Sequence, residues 1–68
     1  ELPQMAMALV KKTRLQHARL LLSAPHHHTS VTGVALGCGF SNLGQFARDY
    51  QAAFGELPSV TLQRSKAR

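Results

Sequence analysis

Along the second half of the chain, Leu43, Phe46, Ala47, Tyr50, Ala53 and Phe54 recur every three or four residues, the spacing that collects side chains on one side of an α-helix. This is the strongest periodic signal in the sequence and predicts a helix with an aromatic back. Two weaker stripes precede it. Leu15, Ala18 and Leu22 share a face of a long first helix expected from about Pro3 to Ser23, opened by a proline and filled with good helix formers. Val31, Val34, Ala35 and Cys38 share a face of a short second helix. Pro25 and the polar run His26-His27-His28-Thr29 stop the first helix, and Ser30 is a suitable N-cap for the second. That helix is expected to end near Gly37 to Gly39. Phe40 follows as an apolar plug between two helices, and Ser41 is the expected N-cap of the third. Gly55 closes the third helix, and Pro58 opens a fourth that offers Val60 and Leu62 to the core. No strand pattern competes, so the expected fold is all-α.

A short helix, a glycine-bearing turn and a longer amphipathic helix make a helix-turn-helix, whose second helix can lie in a DNA major groove. At about 100° per residue, with the apolar stripe centred near Tyr50, the residues Ser41, Gly44, Gln45, Arg48 and Ala52 point outward together. Asn42 and Gln51 fall on the flanks of that face. Arg can donate two hydrogen bonds to guanine O6 and N7, Gln can pair bidentately with adenine, and Ser at a helix start can meet a phosphate beside free backbone N–H groups. Gly44 carries no side chain, so the backbone there can approach DNA closely. The same spacing also describes a plain helical bundle in which Gln45, Arg48 and Gln51 are simply solvated.

Charge sharpens the choice without making it. Eight Lys and Arg against three acidic residues give a net charge of +5 on 68 residues, the footprint of a nucleic acid or another acidic surface. Lys11, Lys12, Arg14 and Arg19 lie on the first helix, Arg64, Lys66 and Arg68 crowd the C-terminus, and Arg48 stands between. Such an arrangement can flank a groove, although small domains also carry excess cations for solubility alone. At 44% hydrophobic and 16% charged residues the chain is too apolar for a disordered tail. Its longest apolar stretch, Met5 to Val10, is far short of the roughly 20 residues of a membrane span. A soluble, cytoplasmic protein is expected. The start at Glu1 suggests a piece of a longer chain. Glu-Leu-Pro occurs at residues 1–3 and again at 56–58, each time leading into a helix, a weak trace of duplication.

Other chemistries find little support. Three adjacent histidines, His26, His27 and His28, cannot all face one metal, and zinc sites favour wider spacing. No metal or other cofactor is expected. His17 reads as a surface residue and Cys38, on the apolar face with no basic partner placed by the sequence, as a small core residue. The acidic residues Glu1, Asp49 and Glu56 are far apart, and neither a Ser-His-Asp order nor a phosphate-cradling glycine loop occurs. An enzyme is not expected. Asp49, next to Arg48, is expected to bias a neighbouring helix charge or to repel phosphate.

Val31-Thr32-Gly33-Val34-Ala35, then Gly39-Phe40-Ser41, then Phe46-Ala47-Arg48-Asp49-Tyr50, then Phe54-Gly55 and Pro58 together resemble the C-terminal helix-turn-helix of the AraC/XylS family of bacterial transcription regulators. Arg14-Leu15-x-x-Ala18-Arg19-x-Leu21-Leu22 looks like that family's linker helix, so the similarity spans about residues 9–64. The resemblance implies a homeodomain-like three-helix unit preceded by a long linker helix. It also implies a first helix-turn-helix unit and an effector domain elsewhere in the full-length protein. By likeness, Arg48 is the base-contacting residue of the recognition helix, Asn42, Gly44 and Gln45 are its DNA-facing neighbours, and Ser30 and Thr32 start the supporting helix near the backbone. Gly33 stands where the family often has an acidic capping-box residue, which should weaken that helix start. Gln51 stands where a basic phosphate contact is common.

The reading that follows is a linker helix over residues 1–23 and a DNA-binding unit over 24–68. Helix 42–54 reads the major groove of double-stranded DNA through Asn42, Gly44, Gln45 and Arg48, while Ser30, Thr32, Ser41, Lys11, Lys12, Arg14, Gln51 and Arg64 contact its backbone. The alternative is a helical protein-interaction module that docks an acidic partner such as RNA polymerase. A membrane-surface peptide is a poorer third, because the helix around Lys11 to Arg19 has no apolar face separate from its core stripe.

Overall fold

The computed structural model describes the backbone of residues 3–67 and the side chains of residues 9–67. Glu1, Leu2 and Arg68 lie outside the described residues, and with them most of the first Glu-Leu-Pro and one of the C-terminal cations. Four helices follow in order: α1 (Pro3–Ser23), α2 (Val31–Gly37), α3 (Leu43–Phe54) and α4 (Pro58–Lys66). Among the described residues there is no strand, so the chain is all-α as its periodicity predicts.

Each element closes through the local chemistry of its ends. Ser30, in extended backbone, accepts from the Gly33 amide at 3.0 Å and caps α2. The cap therefore forms without an acidic residue at position 33, because only the Ser half of a capping box is needed to satisfy that amide. The turn after α2 places Gly39 at φ +93°, and Gly55 ends α3 at φ +78° with its amide bonded to the Gln51 carbonyl. Both are left-handed positions where a Cβ is penalised. The start of α3 departs from the expectation by one residue. Asn42, not Ser41, is the N-cap, and its Oδ1 accepts from the Gln45 amide at 2.9 Å. The two residue types cap about equally well, so the choice falls to the register that seats Phe40 against Phe46, with ring centroids 4.7 Å apart. Pro58 sits in the first turn of α4, where its missing N–H leaves one fewer group to cap.

The core gathers the predicted stripes: Leu15, Ala18 and Leu22 from α1, Val34, Ala35 and Cys38 from α2 and the turn after it, Phe46 and Tyr50 from α3, and Leu62 from α4. Val31, Phe40 and Phe54 pack at its margin. Phe46, Tyr50 and Leu22 are fully enclosed, which stabilises the fold by about 1.5–3 kcal/mol for each side chain. Three expected core residues are outside it. Val60 is 45% exposed, because Pro58 and Leu62, four residues apart, set the inner face of α4 and place Val60 well round the helix. Ala53 is exposed on the flank of the α3 stripe, and Leu43, on the stripe but at the helix start, is 39% exposed. Thr61 takes a buried place that no apolar pattern announces. α1 packs against α4, α2 and α3, yet Leu9 and Val10 on its first half are exposed, and its buried stripe begins only at Leu15.

Candidate nucleic-acid interface

Once Phe46 and Tyr50 are fixed inward, the 3.6-residue period forces Ser41, Gly44, Gln45, Arg48 and Ala52 outward, and all five are exposed. Asn42 and Gln51 are exposed beside them. α2 and α3 are separate helices broken at residues 38–42, so this face belongs to the second helix of a true helix-turn-helix. Gly44 is open, the nearest foreign atom to a Cβ built there being Asn42 Oδ1 at an ordinary 3.5 Å. Asn42 spends its carbonyl oxygen on the α3 cap and keeps its NH2 free. Ser30 likewise accepts within its own cap and retains a hydroxyl proton to donate, with Thr32 exposed in the first turn of α2.

The outward polar side chains are connected. Arg48 Nη2 donates to Gln45 Oε1 at 3.4 Å, and Gln45 Nε2 donates to Asp49 Oδ1 at 3.0 Å. Lys11 of α1 reaches the other carboxylate oxygen, Nζ to Oδ2 3.4 Å. Asp49 thus pairs with a lysine of α1, a contact the sequence does not announce. The Gln45–Asp49 half of it is visible in the sequence as an i, i+4 Gln/Asp pair. The Lys11 half depends on where α1 crosses α3.

The predicted phosphate-contacting cations differ in their freedom. Lys12 and Arg14 are exposed and form no ion pair among the described residues. Arg14 lays its guanidinium over the turn, 3.2 Å from a Cβ built on Gly39. Arg64 is held by Glu56 through two bonds of 2.8 Å, one to each carboxylate oxygen. The two bonds from Arg64, and then one from Thr61, pull the Glu56 carboxyl below its ordinary value. The same network continues inward: Thr61 donates to Glu56, and Tyr50 donates its buried hydroxyl to Thr61 Oγ1 at 2.8 Å. Arg19 rests over the Phe54 ring, 5.1 Å from its centroid.

Cys38 is buried in the core as expected, and burial pushes its thiol pKa up. It does have a neighbour the sequence did not place, His17 Nδ1 at 3.8 Å from Sγ. The histidine run forms a turn in which His28 N–H donates to His26 Nδ1, and Thr29 receives the His26 amide. Among the described residues no three His, Cys, Asp or Glu side chains are grouped to hold a metal ion, and no helix is long and apolar enough to cross a membrane.

Known proteins are similar to this chain in sequence and fold. A family model described as a helix-turn-helix domain matches residues 2–64. The XylDLEGF operon transcriptional activator of Pseudomonas putida is 43% identical over 58 residues, which cover 84% of this chain and 18% of the activator. XylDLEGF operon transcriptional activator 2 of the same organism is 44% identical over 61 residues, 88% of this chain and 39% of that protein. The chain therefore spans less than a fifth of the length of the first relative. The crystal structure of a probable AraC family transcriptional regulator from Rhodopseudomonas palustris CGA009 superposes with a TM-score of 0.83 at 63% identity, over 87% of this chain and 55% of that one. With its glycine-turned helix pair, its exposed Gln45–Arg48 face and these relatives, the chain belongs to the AraC/XylS-type helix-turn-helix family of DNA-binding transcription regulators.

Proposed function

We propose that α3 enters the major groove of duplex DNA and reads bases through Arg48 and Gln45, with Asn42 and Gly44 against the groove. One observation carries this reading: an amide and a guanidinium stand exposed together on a helix whose opposite side is anchored by enclosed Phe46 and Tyr50. Ser30, Thr32, Ser41 and Gln51 border the same face and contact the DNA backbone. Lys12 and Arg14 supply phosphate contacts at once. Lys11 and Arg64 supply them only by sharing or leaving their carboxylate partners. The rest of the regulator adds a first helix-turn-helix unit and an effector domain, in keeping with the small share of its relatives that this chain spans. The module works in the cytoplasm, and since the relatives are named as activators, RNA polymerase is a second partner of the assembled protein.

The test is a selection of preferred duplexes by the full-length regulator, followed by titration of variants. Arg48→Ala is expected to cost about 1–3 kcal/mol on the preferred sequence and to relax one base position. Lys12→Ala is expected to weaken all sequences alike and to reduce the salt slope by about 1. An Arg48→Ala loss that is equal on every sequence would remove its reading role.

A further inference from the structure

We infer that Asp49 is a specificity-determining positioning residue: its carboxylate, tied to Lys11 of the linker helix, fixes which way round the Gln45 amide faces the bases. The inference rests on the reading role proposed for Gln45. A carboxylate only accepts hydrogen bonds and a guanidinium only donates them. Gln45 lies between one of each, with Nε2 toward Asp49 Oδ1 at 3.0 Å and Oε1 toward Arg48 Nη2 at 3.4 Å. Rotating the amide by half a turn sets its oxygen against the carboxylate and its NH2 against the guanidinium, so both contacts become repulsive. One orientation survives.

Each end of the amide still has capacity. Nε2 keeps a second proton and Oε1 a second lone pair, so the side chain presents one donor and one acceptor in a fixed order. Adenine offers the matching pair in the major groove, an N7 acceptor and an N6 donor, whereas guanine offers two acceptors. A free glutamine can reverse its amide and make one acceptable bond to several bases. A clamped one cannot reverse, and its fixed order is matched at both ends by adenine alone. The Asp49 side chain is 19% exposed and its second oxygen is 3.4 Å from Lys11 Nζ, which holds the carboxylate in place from the neighbouring helix and offsets its repulsion of DNA phosphates.

Three forms of the full-length regulator, unaltered, Asp49→Asn and Gln45→Ala, are to be titrated against duplexes carrying each base pair in turn at every position of the preferred site. Thermal melting of each protein checks that it is folded. Asparagine keeps the shape of Asp49 but can accept or donate, so the choice of amide orientation is left to the longer 3.4 Å contact from Arg48 alone. The expected result is that Gln45→Ala and Asp49→Asn relax the same single position. There Asp49→Asn loses most of the roughly 5- to 150-fold discrimination that a bidentate pair supplies, and the position assigned to Arg48 keeps its preference. If Gln45→Ala relaxes one position and Asp49→Asn relaxes none, or weakens all sequences equally, the clamp is overturned while the reading role stands. If Gln45→Ala relaxes nothing, the reading role itself fails.

Discussion

The buried chain of hydroxyls between α3 and α4 sets up a double-mutant cycle whose signs are fixed in advance. Tyr50 is fully enclosed and its hydroxyl donates to Thr61 Oγ1 at 2.8 Å; Thr61, only 2% exposed, in turn donates a hydrogen bond to Glu56. Tyr50→Phe deletes a donor but leaves the Thr61 proton with its partner, so the loss is one net hydrogen bond, about 1 kcal/mol. Thr61→Val keeps the volume but leaves the tyrosine hydroxyl buried with nothing to accept its proton, and it removes a donor from Glu56. A stranded buried donor costs about 1–3 kcal/mol, so this variant is expected to be the less stable of the two. Adding Tyr50→Phe to Thr61→Val then removes the stranded group and is expected to restore stability. Urea unfolding followed by far-UV circular dichroism measures all four corners, and in a domain of this size each kcal/mol moves the melting temperature by roughly 4–8 °C. The reasoning fails if Tyr50→Phe is as damaging as Thr61→Val, or if the two losses simply add.

Two other predictions follow from single features. Gly55 lies at φ +78° with open space where a Cβ would go, so Gly55→Ala carries only the backbone penalty, about 1–2 kcal/mol. Gly37, at the end of α2 with ordinary backbone and nothing within 4 Å, is expected to gain about 0.4–1 kcal/mol as Gly37→Ala; chemical denaturation of the pair gives opposite signs or the backbone argument is wrong. Because its bonds to Arg64 and Thr61 hold the Glu56 carboxyl below its ordinary value, its contribution to stability is complete above about pH 4.3. That contribution is lost as pH falls through the depressed folded value. Glu56→Gln is therefore expected to flatten the acid limb of a stability-against-pH curve, and an unchanged limb would exclude the pairing as its cause.

What the sequence made legible was whatever depends on near neighbours along the chain. The stripe of Phe46, Tyr50 and Phe54, the stops at Gly39 and Gly55 and the start at Pro58 are all local chemistry, and each stands where its residues place it. The exposed Gln45–Arg48 face follows from the same period. The shift of the α3 cap from Ser41 to Asn42 was not legible, since adjacent residues of equal capping strength are separated only by how Phe40 seats. Nor was the position of Val60: a four-residue spacing from Pro58 to Leu62 defines the inner face of α4, and apolar character alone does not report it. The contacts between Lys11 and Asp49, His17 and Cys38, and Tyr50 and Thr61 arise from helix crossings, which no periodicity encodes.

The shortness of the exposed face has a consequence for how much genomic address this unit can carry. From Asn42 to Arg48 the helix rises about 9 Å at 1.5 Å per residue, which spans roughly three base-pair steps of 3.4 Å each. A word of three letters in a four-letter alphabet recurs by chance about once in every 64 positions, against the roughly 10⁶ or more competing sites of a genome. If α3 reads bases as proposed, finding one promoter takes several such words read at a set spacing by the same regulator, and substitutions on this face would rewrite a single syllable of the address.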